Sequence, residues 1–405
     1  YGLFVTAGWP LDFWPVVILQ AAAAVWIVGL LIRVHRFRPY PAGLLAVTAT
    51  LAVTTALPWL ASELLTDIFA GLGVLAFYAL IWHGDRIALR ERVALIFFAG
   101  FAASTHSATY AVLLAVSVSA LFVWVLNRKL VSGARLAEAA GAMLLGALML
   151  ISANYVVARQ IAWTPGGFGL VFARMLEDGI VTRYLDDHCP DPRFRLCPYR
   201  NELPHDADEF LWNGTIFDKL GGFAGLGDEM HTIVLESLRD YPGVQINAAL
   251  VATAKQLVTV GTGEGIVPLE DMWHTHWTIE KYAASASPAM HAARQERQPI
   301  NFATIDAIHK PIAWAAMALL PILIIVGFWH ANFADIARLS AIIAVALLAN
   351  AAVCGVISNP HDRYGSRIVW IAVFAAVLAG WRWIALAREQ PVQPRKCFDS
   401  LSPCA

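Results

Sequence analysis

Four short stretches of this chain carry side chains able to do chemistry. In SELLTDIFAG, Glu63 and Asp67 stand four residues apart. On a helix they share one face, where two carboxylates could ligate a divalent cation or hold a basic group. Asp67 could equally serve as the N-cap of the apolar run that follows it. In ASTHSATYA, His106 sits between two apolar runs. It could hydrogen-bond a phosphate or move a proton, or be a histidine satisfied between helices. In NPHDRYGSR, Asn359, His361, Asp362, Arg363, Tyr364 and Arg367 crowd one connection. A guanidinium is a planar fork that can give a phosphate two hydrogen bonds at once, although an ordinary charged loop has the same composition. In WHTHW, His274 and His276 are two residues apart. That spacing shares a face on a strand and not on a helix, so the stretch reads as a metal site or as an aromatic anchor at a membrane surface.

The elements that must position these groups follow from composition. The 405 residues are 58% hydrophobic and 15% charged, with a net charge of -1. Soluble domains carry about 25% charged residues, so much of this chain is expected to face lipid. The small net charge gives no field for nucleic acid. A span needs about 20 mostly apolar residues. Nine candidates result: 12–32, 41–61, 67–84, 92–105, 107–126, 139–159, 311–330, 339–358 and 367–387. The fourth is short, which should draw His106 below the surface. Every second connection is basic, with Arg33, Arg36 and Arg38, then Arg86, Arg90 and Arg92, then Arg128, Lys129 and Arg135, then Arg338, then Arg388, Arg395 and Lys396. Basic loops stay cytoplasmic, so 62–66, 106, 160–310 and 359–366 are expected outside. The chain opens at Tyr1 with neither methionine nor a signal-like stretch, and a hydrophobic segment before Tyr1 is expected.

The expected fold is therefore an all-α polytopic membrane bundle. Residues 1–160 carry six spans, 161–309 form a mostly helical non-cytoplasmic cap, 310–390 carry three spans and 391–405 are a cytoplasmic tail. Helix-like patterns cover Phe168–Asp178 and Ile246–Val260, and the second could lie on the membrane surface. Cys189 and Cys197 are close in sequence within the cap, so an oxidising compartment favours a disulfide. A metal site with His188 and His205 is the alternative. Cys397 and Cys404 should be reduced in the tail, and Cys354 reads as packing. No Walker motif, HExxH, GxSxG or helix-opening GxGxxG is present, and Asn213-Gly214-Thr215 is a weak sequon.

With these residues in view, the chain resembles the GT-C superfamily of integral-membrane glycosyltransferases, which use polyprenyl-phosphate-linked sugars. YGLFVTAGWP resembles the end of the family's first outer loop, SELLTDIFAG its second outer acidic motif, and HDRYGSR the Arg-Tyr motif before a terminal span. The resemblance implies a metal or acceptor contact at Asp67, with magnesium or manganese as the cation. It implies lipid-phosphate contacts at Arg363 and Arg367, with His361, Tyr364 and Glu63 beside them, and His106 steadying developing charge or moving a proton. Inverting transfer at the outer leaflet of a bacterial inner membrane, with the cap in the periplasm, is the implied activity. Two departures stand out: the family's acidic residue after a first span is not in this sequence, and the cap follows the sixth span. A transporter and a non-catalytic subunit of a membrane complex are the rival readings. A transporter would carry ionisable residues in mid-span, of which few are seen beyond Arg382, while a subunit would lack a polar cavity. The glycosyltransferase reading expects Asp67, His106 and Arg363 to converge on one cavity under the cap.

Overall fold

The computed structural model describes residues 1–389 apart from Pro165, Thr215, 267–272 and Pro299; the side chains of 273–275 and 389 are likewise outside the description. The tail with Cys397 and Cys404 and the His274 side chain thus lie outside the described residues. The described chain is all helical, without strands. It begins with a short α1 (Gly2–Gly8), then α2 (Trp14–Val34), α3 (Tyr40–Thr54), α4 (Leu57–Ser62), α5 (Ile68–His83), α6 (Leu89–Thr105), α7 (Ser107–Leu126) and α8 (Gly133–Ala158). Nine shorter or intermediate helices follow: α9 (Gly167–Glu177), α10 (Ile180–His188), α11 (Ala207–Trp212), α12 (Ile216–Lys219), α13 (Gly222–Asp240), α14 (Pro242–Val258), α15 (Trp273–Tyr282), α16 (Ser287–His291) and α17 (Arg294–Arg297). Three long helices close the bundle: α18 (Phe302–Trp329), α19 (Ala334–Ile357) and α20 (Asp362–Glu389).

Among the described residues seven helices are long and apolar enough to cross a membrane, and the chain is an integral multi-pass membrane protein. The expected count of nine is not confirmed. The run 41–61 divides at Thr55 into α3, of 15 residues, and the six-residue α4. The Thr55 hydroxyl donates to the Leu51 carbonyl and accepts from the Leu57 amide, a local exchange that ends one helix and starts the next. The run 92–105 is the end of α6, only 17 residues long and opened by Arg90, Glu91 and Arg92.

Apolar residues around the whole circumference mark α5 as the axis of the bundle: Ile68 to Leu80 are buried without a break. Other helices show one face to the surroundings. Leu114, Val118, Leu121 and Phe122 of α7 are exposed, as are Ile322, Ile325 and Phe328 of α18. In water such faces would be costly; against lipid tails they are at home. Helices α6 and α8 cross closely because Gly146 faces Gly100. A Cβ on Gly146 would stand 2.8 Å from the Gly100 carbonyl oxygen and 2.7 Å from the Ala103 Cβ. Small residues at such crossings let backbones approach where no hydrophobic effect drives the helices together.

The expected cap has its own core, in which Phe172, Leu176, Tyr184, Phe210, Leu226, Met230 and Ile233 from α9, α10, α11 and α13 are buried together. Cys189 and Cys197 are bonded, with S–S 2.01 Å, as expected. The expected helix at 246–260 is α14, which leaves that core and packs along α19. Gly355 of α19 lies so near the Ala252 carbonyl that a Cβ would be 2.7 Å from it.

The two ends of the bundle differ chemically. The basic connections meet at the end away from the cap, where Arg33 pairs with Glu91 at 2.8 Å, Arg92 with Glu138 at 3.0 Å and Arg382 with Asp335 at 3.1 Å. The same end buries His35, Tyr78 and His83. His35 Nδ1 is 3.0 Å from the Asp335 carboxylate, and the Tyr78 hydroxyl lies 3.3 Å from His35 Nε2 and 2.9 Å from His83 Nε2. Together these polar links lock α2, α5, α19 and α20.

Candidate functional site at the junction of bundle and cap

The other polar centre forms where α5 and α20 begin. Asp67 occupies the N-cap position of α5, yet its side chain makes no capping bond. Its two oxygens go to arginines instead: Oδ1 is 3.4 Å from Arg367 Nη1, and Oδ2 is 3.6 Å from Arg363 Nε. Arg363 and Arg367 are four apart on α20, so one helix face presents both forks. Arg367 is fully buried, and Asp67 is 2% exposed. Burial of such charges requires partners, and Arg367 has several. Its Nε and Nη2 donate to Asn350 Oδ1 at 3.0 and 2.7 Å, and Nη2 also donates to Cys354 Sγ at 3.1 Å. Asn350 is oriented by donating to the Tyr364 carbonyl at 2.7 Å. Cys354, expected to be packing alone, is part of this centre.

Glu63 and Asp67 do not share a helix face, because 63–66 is a bend between α4 and α5. They still sense each other. Burial and then the Asp67 charge, opposed by Arg363, push the Glu63 carboxyl up to about 8. Asp67 is the carboxylate that both guanidinium groups approach, and Glu264 adds a second one near Arg363. This arrangement does not suit magnesium or manganese at Asp67: both carboxylate oxygens already point at guanidinium groups, which would have to move to admit a cation.

A second network joins the connection before α20 to the cap. His361 Nδ1 lies 2.5 Å from Glu264 Oε1, and Nε2 lies 3.2 Å from Asp208 Oδ2 and 2.9 Å from Asn359 Oδ1. The His361 amide donates to Gln256 Oε1 and its carbonyl accepts from Gln256 Nε2, both at 2.9 Å. The Glu264 carboxylate also accepts the Arg363 amide at 2.8 Å. Burial disfavours a charged imidazole, but hydrogen bonds to Asp208 and Glu264 outweigh it and raise His361 to about 9. His361 is thus an imidazolium clamped between two carboxylates. Gly365 makes the approach possible, since any Cβ there would collide with the Thr259 carbonyl.

Beside these networks a cavity of about 780 Å³ opens between bundle and cap, within the usual range for small-molecule sites. His106 and Tyr364 line it, with Tyr1, Asn154 and Asp208, and Leu150 and Val157 form part of an apolar wall. Residue 106 is the single break between α6 and α7, as the short run implied. His106 Nδ1 accepts the Ala108 amide at 3.1 Å, so the neutral ring carries its proton on Nε2 and is a donor rather than a base. The roof is held by Ser107, whose hydroxyl is 2.8 Å from that of Thr164, and by Asn154, which donates to the Ala162 carbonyl at 2.8 Å.

Of the residues expected to converge, Asp67 and Arg363 meet directly, and His106 lies within electrostatic reach of both and of Arg367. Of the expected residues His106, Asn359 and Tyr364 line the cavity. Asp67, Arg363 and Arg367 stand behind that wall. The Tyr364 ring lies 5.1 Å from the Arg363 guanidinium carbon and 5.3 Å from that of Arg367, and Cys354 also touches the cavity. His361 acts through Asp208, and Glu63 is not at the wall. Asp208, Glu264 and Gln256 were not singled out in the sequence; no motif marks them. No family model, no curated protein and no solved structure matches the chain.

Proposed function

We propose that the protein is a membrane glycosyltransferase of GT-C type, moving a sugar from a polyprenyl-phosphate donor to an acceptor at the cap side of the membrane. One observation carries this reading: a mostly apolar cavity with a few polar groups at the bundle–cap junction, backed by two arginines that share a carboxylate. Its polar wall fits a phosphate head, and its apolar wall fits the first units of a lipid tail. The His106 Nε2–H donates to the donor phosphate at the cavity wall, and Arg363 and Arg367 add fixed positive charge behind that wall as the leaving phosphate develops its own. Asp208 is the only carboxylate at the cavity wall among the described residues. It replaces Asp67 as the group that takes the proton from the acceptor hydroxyl, and His361 fixes its orientation. The bacterial inner membrane with a periplasmic cap is supported by the Cys189–Cys197 bond and by the basic connections at the far end.

A non-catalytic subunit is the second reading, favoured by one fact: Asp67 and Arg367 satisfy each other and are sealed from the cavity. The test is binding and turnover of a panel of polyprenyl-phosphate hexoses and pentoses by the purified chain in nanodiscs. His106→Ala removes the donor at the wall and Arg363→Gln removes positive charge behind it, so each should lower donor affinity about tenfold. Asp208→Asn should lower turnover and leave donor affinity unchanged. If wild-type protein retains no polyprenyl phosphate at all, the subunit reading replaces this one.

A further inference from the structure

A second cluster lies in the cap, away from the arginine centre. Helix α15 carries His276 and Glu280, one turn apart, and a short 3-10 turn (Ala284–Ala286) folds α16 back so that its last residue, His291, meets them. Three ligand atoms converge. His276 Nε2 is 3.1 Å from His291 Nε2 and 3.0 Å from Glu280 Oε1, and His291 Nε2 is 3.6 Å from the same oxygen. His274, the expected partner of His276, has its side chain outside the described residues; Glu280 and His291 are the groups that meet His276.

We propose that His276, Glu280 and His291 form a binding site for a zinc-class transition-metal ion with an open fourth position. The geometry is that of one face of a tetrahedron. With metal–ligand bonds of about 2.0–2.2 Å, neighbouring ligand atoms of a tetrahedral ion lie about 3.3 Å apart, and the three separations of 3.0, 3.1 and 3.6 Å bracket that value. Two imidazole nitrogens turned towards each other and towards one carboxylate oxygen make a donor set for a cation rather than a set that satisfies itself. Two neutral rings can share only one proton along their Nε2···Nε2 contact, whereas a metal uses all three lone pairs. Imidazole with carboxylate suits zinc, nickel or copper and not magnesium or calcium. Side-chain exposures of 30% for His276, 50% for His291 and 51% for Glu280 leave an entry path and room for a fourth ligand from solvent. Once bound, the ion pins α15 to α16, next to Ser285, which accepts the Trp9 indole N–H at 2.9 Å and so ties this corner to the start of the chain.

The test uses the full chain in detergent without an affinity tag, stripped with chelator and titrated with Zn2+, with bound metal counted by elemental analysis and affinity read by calorimetry. Wild type should bind one equivalent more than His276→Ala/His291→Ala. Glu280→Gln preserves size and polarity and guards against a misfolded double variant; it should weaken Zn2+ by about 100-fold or more, since even groups behind the ligands are worth 10–100-fold. Co2+ should give the visible absorption of a low-symmetry four-coordinate ion in wild type only. Equal stoichiometry in wild type and variants, or an octahedral aquo spectrum, overturns the site. The outcome is independent of any sugar transfer.

Discussion

Replacing Asp67 by Asn removes the carboxylate that Arg363 and Arg367 share. Taking one partner from a buried ion pair costs about 3–5 kcal/mol, because the charge left behind is neither solvated nor paired. Two features place this case at the lower end. Arg363 has 28% of its side chain exposed, so solvent screens its share, and Arg367 keeps Asn350 Oδ1 at 2.7 and 3.0 Å. The expected loss is about 3 kcal/mol, a fall in thermal midpoint of about 3–4 °C for a chain of this length. Arg367→Gln also costs about 3 kcal/mol, but Asp67 then keeps Arg363 at 3.6 Å. In the double variant one half-buried arginine remains unpaired, so its loss should be about 4 kcal/mol rather than about 6, a coupling of about 2 kcal/mol. Glu63 adds a second check. Asp67 helps to hold its carboxyl near 8; without Asp67 that value should drop, and Glu63 should ionise and replace part of the missing charge. Asp67→Asn with Glu63→Gln should therefore be worse than the sum of the two. The assay is tryptophan-fluorescence melting in one detergent at pH 7, with monodispersity checked for each variant. Additive losses, or a midpoint for Asp67→Asn within about 1 °C of wild type, would refute the shared-carboxylate argument.

Other expectations concern the cap. His361 has its folded value raised from 6.5 to about 9, so the stability its charge supplies is complete below about pH 6.5 and is lost as pH rises through about 9. The gap in melting midpoint between wild type and His361→Gln should accordingly be full at pH 6 and close above pH 9; a gap that widens with pH contradicts the clamp. Opening the Cys189–Cys197 bond releases a loop of eight residues' separation, worth about 2.5 kcal/mol on loop-closure entropy, and Cys189→Ala/Cys197→Ala should melt earlier by a corresponding amount, while unreduced wild type should resist alkylation at both positions. In a background lacking Cys397 and Cys404, an impermeant thiol reagent applied from outside should label Ser285→Cys and spare Ser132→Cys; the reverse pattern inverts the orientation.

The sequence by itself settled what solvent decides. An apolar run long enough to span lipid, a polar segment between two sets of spans and basic connections at alternate ends are local or periodic properties, and each reads out without a partner. The fold class, the cystine and the break at His106 were legible for that reason. Span count was not. Hydropathy registers the apolar run at 41–61 but not the exchange at Thr55 that divides it. The polar centres were legible only in part. NPHDRYGSR announced a site, and Asp67 and Arg363 do meet across almost 300 residues. The identity of their neighbours was fixed by how helices pack. Asn350 and Cys354 reach Arg367 because α19 and α20 lie side by side at one register, and Asp208, Gln256 and Glu264 reach His361 because the cap closes over that corner. At the opposite end, His35, Tyr78 and Asp335, which no motif marks, form one network. Spacing along a chain sets which residues share a helix face. Which faces then meet depends on crossing angle, register and side-chain reach summed over the whole bundle, so only the tertiary structure could decide which of these polar residues are partners.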